Sequence, residues 1–182
     1  MVIIREFQPG DEHAFRGLNQ EWIERYFRME APDVEVLSNP VTAILEPGGR
    51  IFFAVRDGQT IGCCALIRMD DGEYEVAKMA VSPAAQGGGI GRTLLAAVIE
   101  AARQAGARRL FLETNHVLTP AILLYESLGF QHDGTPVEVI RPDCVNLISP
   151  APVSAGSHDA STSPVWRPRR PRLPRTPNSQ PP

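Results

Sequence analysis

Val81-Ser82-Pro83-Ala84-Ala85-Gln86-Gly87-Gly88-Gly89-Ile90-Gly91-Arg92 is where the sequence changes its period. Upstream, Glu73–Val81 reads as a strand; downstream, Ile90, Leu94, Leu95, Val98 and Ala102 recur at helical spacing until Gly106 ends the run. A glycine-rich turn between strand and helix lets the backbone approach a ligand closely, and the first N–H groups of a helix favour phosphate. Arg92 adds a fixed positive charge. A side chain at Gly89 or Gly91 is therefore expected to enter the anion site. The P-loop pattern fails because no Gly-Lys-Ser/Thr follows. The dinucleotide fingerprint fails too: from Gly87 its third glycine would be Arg92, and from Gly89 it would be Leu94. On the loop alone the phosphate carrier stays open.

Working outward, Val2–Phe7 is a short β-branched run closed by Pro9-Gly10. Asp11 is expected to cap a helix running to about Phe27, with Phe15, Leu18, Trp22 and Tyr26 on one face. A second helix is expected between Asp33 and Leu45, stopped by Pro47-Gly48-Gly49. Asp57-Gly58 separates Ile51–Val55 from Ile61–Ile67, the strongest short hairpin signal, and Asp71-Gly72 repeats the device before Glu73. After the long helix, Arg108–Leu112 is a strand. Thr119-Pro120 supplies an N-cap and a first-turn proline, and Gly129 lies just past the last turn. From Phe130 one or two more strands fit, interrupted by Pro136 and Pro142. The expected fold class is α/β: a meander feeding a strand–helix–strand–helix crossover in a mixed, mostly antiparallel sheet flanked by helices.

The 182 residues suffice for one domain of ordinary size. Nine of the 17 prolines fall in residues 149–182, with five arginines against one aspartate. That segment is net +4 and the whole chain −3, so residues 1–148 carry −7. The division expected is a domain over 1–148 and a disordered Pro/Ser/Arg-rich tail over 149–182. Arg167 to Arg175 could tether nucleic acid or a membrane surface, but without interleaved aromatics beyond Trp166 a solvated tail is the expectation. Three cysteines (Cys63, Cys64, Cys144) make no disulfide framework, and the start of the chain shows no signal-peptide pattern, so a cytoplasmic home is expected. No apolar run is long enough for a membrane span. His13, His116, His132 and His158 have no metal-ligand spacing, and no metal site is expected. Cys63 and Cys64, neighbours on a strand, should pack on opposite faces, and Lys78 reads as structural or solvated.

Two motifs carry a family resemblance. Val81, Pro83, Gln86, Gly89 and Gly91 match V-x-P-x-x-(Q/R)-x-x-G-x-G/A, and Ala121, Leu124, Tyr125, Gly129 and Phe130 match A-x-x-L-Y-x-x-x-G-F. Together they resemble the GNAT N-acetyltransferase superfamily, in particular its small single-domain bacterial members, over about residues 1–148. The 33 residues between Gly91 and Tyr125 leave room for the helix and strand which that fold requires. The resemblance implies acetyl-CoA as co-substrate. The backbone of Met79, Ala80 and Val81 would pair with the pantetheine arm and the thioester oxygen. Gln86, Gly87, Gly88, Gly89, Ile90, Gly91 and Arg92 would form the pyrophosphate loop.

An amine attacks only when neutral, and alkylammonium groups have pKa values of about 10, so transfer needs a base, a polarised carbonyl and an acid for the leaving thiolate. The resemblance implies the acid role for Tyr125, whose other reading is a packing residue between Ile122 and Leu128. For the base it offers Glu75 and Glu113, each of which also reads as an ordinary strand glutamate. Glu73 and Glu138 read as surface charge. Many relatives carry an asparagine seven residues before the tyrosine. Here that position is Leu118, and Asn115 is the nearest asparagine, either a cofactor or substrate contact or a cap for the strand end.

The leading reading is an N-acetyltransferase acting on a primary amine of a small or amino-acid-like molecule, with a homodimer compatible. The acidic balance of 1–148 suits a cationic acceptor. A protein N-terminus or lysine as acceptor, and a non-catalytic acyl-CoA-binding module, are the alternatives that turnover with an amine panel separates. If residues 149–182 are dispensable, a chain ending at Ser149 should unfold at the same thermal midpoint as the full chain. A fall of many degrees would show that the tail completes the sheet.

Overall fold

The computed structural model describes residues 1–69, 72–132 and 144–148. Its strands are β1 (Val2–Glu6), β2 (Arg50–Arg56), β3 (Gln59–Arg68), β4 (Glu73–Val81), β5 (Arg109–Asn115), β6 (Gln131–His132) and β7 (Cys144–Ile148). The helices are α1 (Glu12–Tyr26), α2 (Ala31–Ser38), α3 (Ile90–Gln104) and α4 (Thr119–Ser127). All seven strands form one sheet in the order β1-β2-β3-β4-β5-β7-β6. Only β4 and β5 run parallel, joined by the α3 crossover; every other neighbouring pair is antiparallel. This is the α/β mixed sheet expected from the sequence. The turn at Asp57-Gly58 has both residues at positive φ (50° and 78°), the twist that suits a two-residue hairpin. Asp71, Pro136, Glu138, Pro142 and the whole of 149–182 lie outside the described residues.

Two apolar layers sandwich the sheet. On one face α3 buries Ile90, Leu94, Leu95, Val98, Ala101 and Ala102 against Cys64, Leu66, Tyr74, Val76, Leu110 and Leu112. On the other, α1 and α2 cover Ile51, Phe53, Cys63 and Ala65 with Phe15, Ile23 and Leu37. Each large aliphatic side chain so buried contributes about 1.5–3 kcal/mol. Cys63 and Cys64 are fully buried on opposite faces, as their neighbouring strand positions require. Burial pushes the Cys63 thiol up to about 12 and the Cys64 thiol well up too, so both stay protonated packing groups.

Local chemistry differs from the sequence reading at four places. The helix expected from Asp33 to Leu45 is instead α2 plus a separate wide turn over Val41–Leu45, because Pro40 has no N–H and drives Asn39 out of helical conformation (φ −135°, ψ 60°). In α1 the deepest side chains are Phe15, Asn19 and Ile23, while Tyr26 is 46% exposed. Asn19 is tolerated there because its Nδ2 donates to the Phe15 carbonyl at 2.9 Å and to Cys63 Sγ at 3.3 Å. At α4 the N-cap is Leu118 rather than Thr119, which is already helical. Asp11 precedes α1 but makes no side-chain cap bond.

Asp11 is instead the anchor of the β1–α1 corner. Arg5 donates from Nη1 to Oδ2 at 2.6 Å and from Nη2 to Oδ1 at 2.9 Å, and the Gln8 N–H reaches Oδ2 at 2.7 Å. The Arg5 bonds, with help from the Gln8 N–H, hold the Asp11 carboxyl below its ordinary value. A carboxyl depressed by folding stabilises the fold above the unfolded-state value and loses that stabilisation as pH falls through the folded one. Asp11→Asn should therefore cost about 1 kcal/mol near neutral pH. In urea melts the gap from wild type should close below the ordinary carboxylate range of about 4.

Candidate active site

The site is built where β4 changes phase and leaves β5. Cys63 pairs with Ala80 and Ala65 with Ala77, so Cys64 alone faces two residues, Lys78 and Met79. This is a β-bulge, and Lys78 takes a left-handed φ of 50° to make it. Tyr74 and Val76 pack toward α3 before the bulge; Met79 and Val81 pack there after it, while Ala80 joins the α1–α2 layer. The parallel ladder with β5 runs from Glu73↔Arg109 to Val76↔Leu112 and stops. Among the described residues, the β4 edge that faced β5 has no strand partner beyond Val76, and a cleft of about 910 Å³ opens there.

One end of the cleft is the start of α3. Gly89 is its N-cap, at φ 75°, and Gly87 also has positive φ (81°). The N–H groups of Ile90, Gly91 and Arg92 precede the first intrahelical bond, from the Thr93 N–H to the Gly89 carbonyl at 3.1 Å, so they point outward. Arg92 bonds Ser127 Oγ at 2.7 Å, fixing the start of α3 to the end of α4. Gln86 Nε2 donates to the Val81 carbonyl at 3.0 Å, tying the loop back to its strand. This end can hold an anion by main-chain donors and a helix terminus.

Toward the middle stands Tyr125 of α4, its hydroxyl 4.0 Å from Met79 Sδ and its ring edge-on to Phe130 at 6.3 Å. The residue keeps some exposure to the cleft, yet dense protein surrounds the hydroxyl, and burial, with Cys64 close by, pushes its pKa well above the ordinary phenol value. The phenol thus stays protonated throughout the neutral range.

The far half faces α1 and α2. Glu75 and Glu113 line it on adjacent strands, together with Trp22, Phe27 and Arg28 from the end of α1 and the Lys78–Asp33 ion pair. Of the residues expected at the site, the structure brings to the cleft Glu75, Met79, Val81 and Gln86, then Gly87, Gly89, Ile90, Gly91 and Arg92, and Glu113, Asn115 and Tyr125. Ala80 and Gly88 are not among its lining; the Ala80 side chain is buried in the α1–α2 layer. The Asn115 side chain accepts the Val117 N–H at 3.0 Å and closes the turn after β5.

The model of the acetyltransferase (GNAT) family matches residues 14–130, which contain every element of this cleft. The chain belongs to that family.

An IAA acetyltransferase from Azospirillum brasilense is 38% identical over 111 residues, 60% of this chain and 72% of that one. A mycothiol acetyltransferase from Thermomonospora curvata is 35% identical over 131 residues, covering 71% of this chain but 44% of the relative, so the chain spans less than half of that protein. Among solved structures, a GNAT protein from Desulfovibrio desulfuricans superposes with TM-score 0.68 at 27% identity, over 84% of this chain and 99% of that one. The yncA structure from Salmonella typhimurium, solved with its cofactor acetyl-CoA, gives 0.70 at 21% identity over 89% and 99%.

Within this GNAT acetyltransferase, two site features escape sequence reading. The Lys78–Asp33 pair spans 45 residues of sequence, so no local pattern announces it, although a structural Lys78 agrees with the sequence reading. The tilted rings of Trp22 and Phe27, 5.8 Å apart, line the cleft, where the sequence reading places Trp22 simply in the apolar stripe of α1. Among the described residues no helix is long and apolar enough to cross a membrane, and no group of three or more His, Cys, Asp or Glu is placed to hold a metal ion.

The structure also corrects the reading of Gly91. A Cβ built there meets Leu124 Cδ2 and Met79 Cε, each at 3.2 Å, so this glycine serves the packing of α3 onto α4 and β4 rather than clearance for an anion. At Gly89 a Cβ meets no protein atom within 4 Å, and the left-handed φ of 75° favours glycine. Gly91→Val should destabilise by about 1–3 kcal/mol through overpacking. Gly89→Ala should cost roughly 1 kcal/mol of backbone strain. Urea unfolding of the two variants checks both values.

Proposed function

We propose that this GNAT chain transfers the acetyl group of acetyl-CoA to a primary amine of a small or amino-acid-like acceptor, using residues 1–148 as the working domain, in the cytoplasm. One observation carries the reading: a single cleft joins an anion-ready helix terminus, an unpartnered strand edge, a protonated phenol and two carboxylates. Acetyl-CoA fits that donor set, because its pyrophosphate needs N–H donors and its pantetheine amides need a strand edge. Bound there, it supplies an activated acetyl thioester.

The N–H groups from Gly87 to Arg92 hold the pyrophosphate, where the α3 dipole and the Arg92 charge favour a dianion. The edge of Met79–Val81 pairs with the pantetheine arm and directs N–H donors at the thioester oxygen, the kind of electrostatic aid that is usually the largest in acyl transfer. Glu75 or Glu113 removes the ammonium proton of the acceptor, directly or through water. Tyr125 gives its proton to the departing sulfur. The acceptor enters from the side of α1 and α2, past Trp22 and Phe27.

Tyr125→Phe keeps the ring packing and removes only the hydroxyl. Turnover should fall by roughly 10²–10⁴ with acetyl-CoA affinity nearly unchanged, read as CoA thiol release and by calorimetry. Changing the glutamate that acts as base to Gln should cost turnover most near neutral pH. That loss should shrink as pH rises toward about 10, where free amine forms unaided. A pH–rate profile parallel to wild type removes that glutamate from the mechanism. Acetyl-CoA binding without CoA release from any amine would instead support a non-catalytic module.

A further inference from the structure

Lys78 is the one lysine in the sequence, and its side chain reaches from the bulge across the cleft to α2. Its Nζ lies 2.6 Å from Asp33 Oδ1, with the two side chains 21% and 24% exposed. Asp33 has a second task. Its Oδ2 accepts the Glu30 N–H at 3.3 Å, while the Glu30 side chain accepts the Asp33 N–H, a reciprocal cap on the first turn of α2. The ion pair therefore joins the strand at the centre of the cleft to the N-terminus of a helix on its border.

That helix depends on outside support. It has eight residues, of which Leu37 alone is fully buried, and helices so short are marginal by themselves. The bulge is different. It is fixed by backbone pairs on both sides, Cys63↔Ala80 and Ala65↔Ala77, which do not involve the ammonium. Cutting the pair should thus loosen α2 and leave the β4 edge in place. Lys78, Asp33, Glu30 and Arg28 all line the cleft on the α1–α2 side, away from the glycine loop.

We propose that the Lys78–Asp33 pair is a strap that holds α2 as a wall of the acceptor half, making both residues positioning residues for acceptor binding and not for acetyl-CoA. The kinetic part of this inference rests on the transferase reading; the structural part does not. A partly buried ion pair that also completes a helix cap is worth more than an exposed surface pair, because solvent screens it less.

The test uses Lys78→Met, Asp33→Asn, their double variant, and Lys78→Arg as the conservative rescue. Asn keeps one oxygen for the Glu30 N–H but turns its NH2 group toward Lys78, so Asp33→Asn breaks the pair while the cap can persist. Hydrogen exchange over Val34–Ser38 should quicken about tenfold in each single variant, with no further gain in the double, while β2 and β3 amides stay at wild-type rates. The KM for an accepted amine should rise about tenfold with kcat falling less, and acetyl-CoA affinity by calorimetry should be unchanged. Lys78→Arg should return both readings toward wild type. Unchanged exchange in α2, or a parallel loss of acetyl-CoA affinity, overturns the strap. Faster exchange with an unchanged acceptor KM overturns its role in acceptor binding. A wild type that releases no CoA with any amine overturns the transferase reading instead, and exchange alone then decides the strap.

Discussion

Everything at the cleft depends on one backbone constraint, the two-for-one pairing of Lys78 and Met79 against Cys64. A regular β4 would keep Tyr74, Val76, Lys78 and Ala80 on one face, sending a lysine into the α3 layer. The extra residue moves Lys78 to the α2 side and gives Met79 and Val81 to the α3 layer, so both apolar layers stay closed. The strand also bends at a bulge, and that bend coincides with the end of the β4–β5 ladder at Val76↔Leu112. The cost is a non-glycine residue at φ 50°, on the order of 1 kcal/mol. The ion pair to Asp33 and the packing of Met79 offset it.

Opening a sheet in its middle exposes backbone that the interior would otherwise leave unsatisfied, which is destabilising unless something pairs it. The surrounding chain limits that exposure. Gln86 turns back to the Val81 carbonyl, and Asn115 closes the turn after β5 with the Val117 N–H. On its other edge β5 continues to pair with β7 as far as Asn115↔Cys144. The seam is therefore one-sided: β4 and β5 are each held on their outer edges and part only from each other. A ligand with amides in series can bind such a seam by strand-like pairing, at no cost in sheet rearrangement.

How much of this the sequence disclosed follows from the range of each interaction. Turns and helix ends depend on a few adjacent residues, so Asp57-Gly58, the Gly87–Gly91 loop and the α3 stripe were readable, and the two motifs located the loop and Tyr125. The bulge left no mark, because a lysine at positive φ is chosen by its tertiary neighbours and not by its own preference. Asn19 is buried because Cys63 and the Phe15 carbonyl supply its partners, and Cys63 lies 44 residues away in sequence. Asp11 looked like a cap, but Arg5 offers a charge-assisted double bond that outweighs a single helix N–H. The split of α2 was written in Pro40, whose restriction on Asn39 is local; the apolar spacing beyond it masked the break.

The two halves of the cleft differ in what the sequence must conserve to keep them. The glycine-loop end is made of main-chain N–H groups and a strand edge, which depend on backbone conformation at a few positions such as Gly89 and Lys78. The α1–α2 end is made of side chains: an aromatic pair, an exposed arginine, an ion pair and two glutamates. Substitution can alter the second set without moving the first, provided the sheet and α3 keep their packing. Solved structures share the fold at 19–27% identity to this chain. The short α2, with Leu37 as its one fully buried residue, can change in this way without disturbing the sheet or α3.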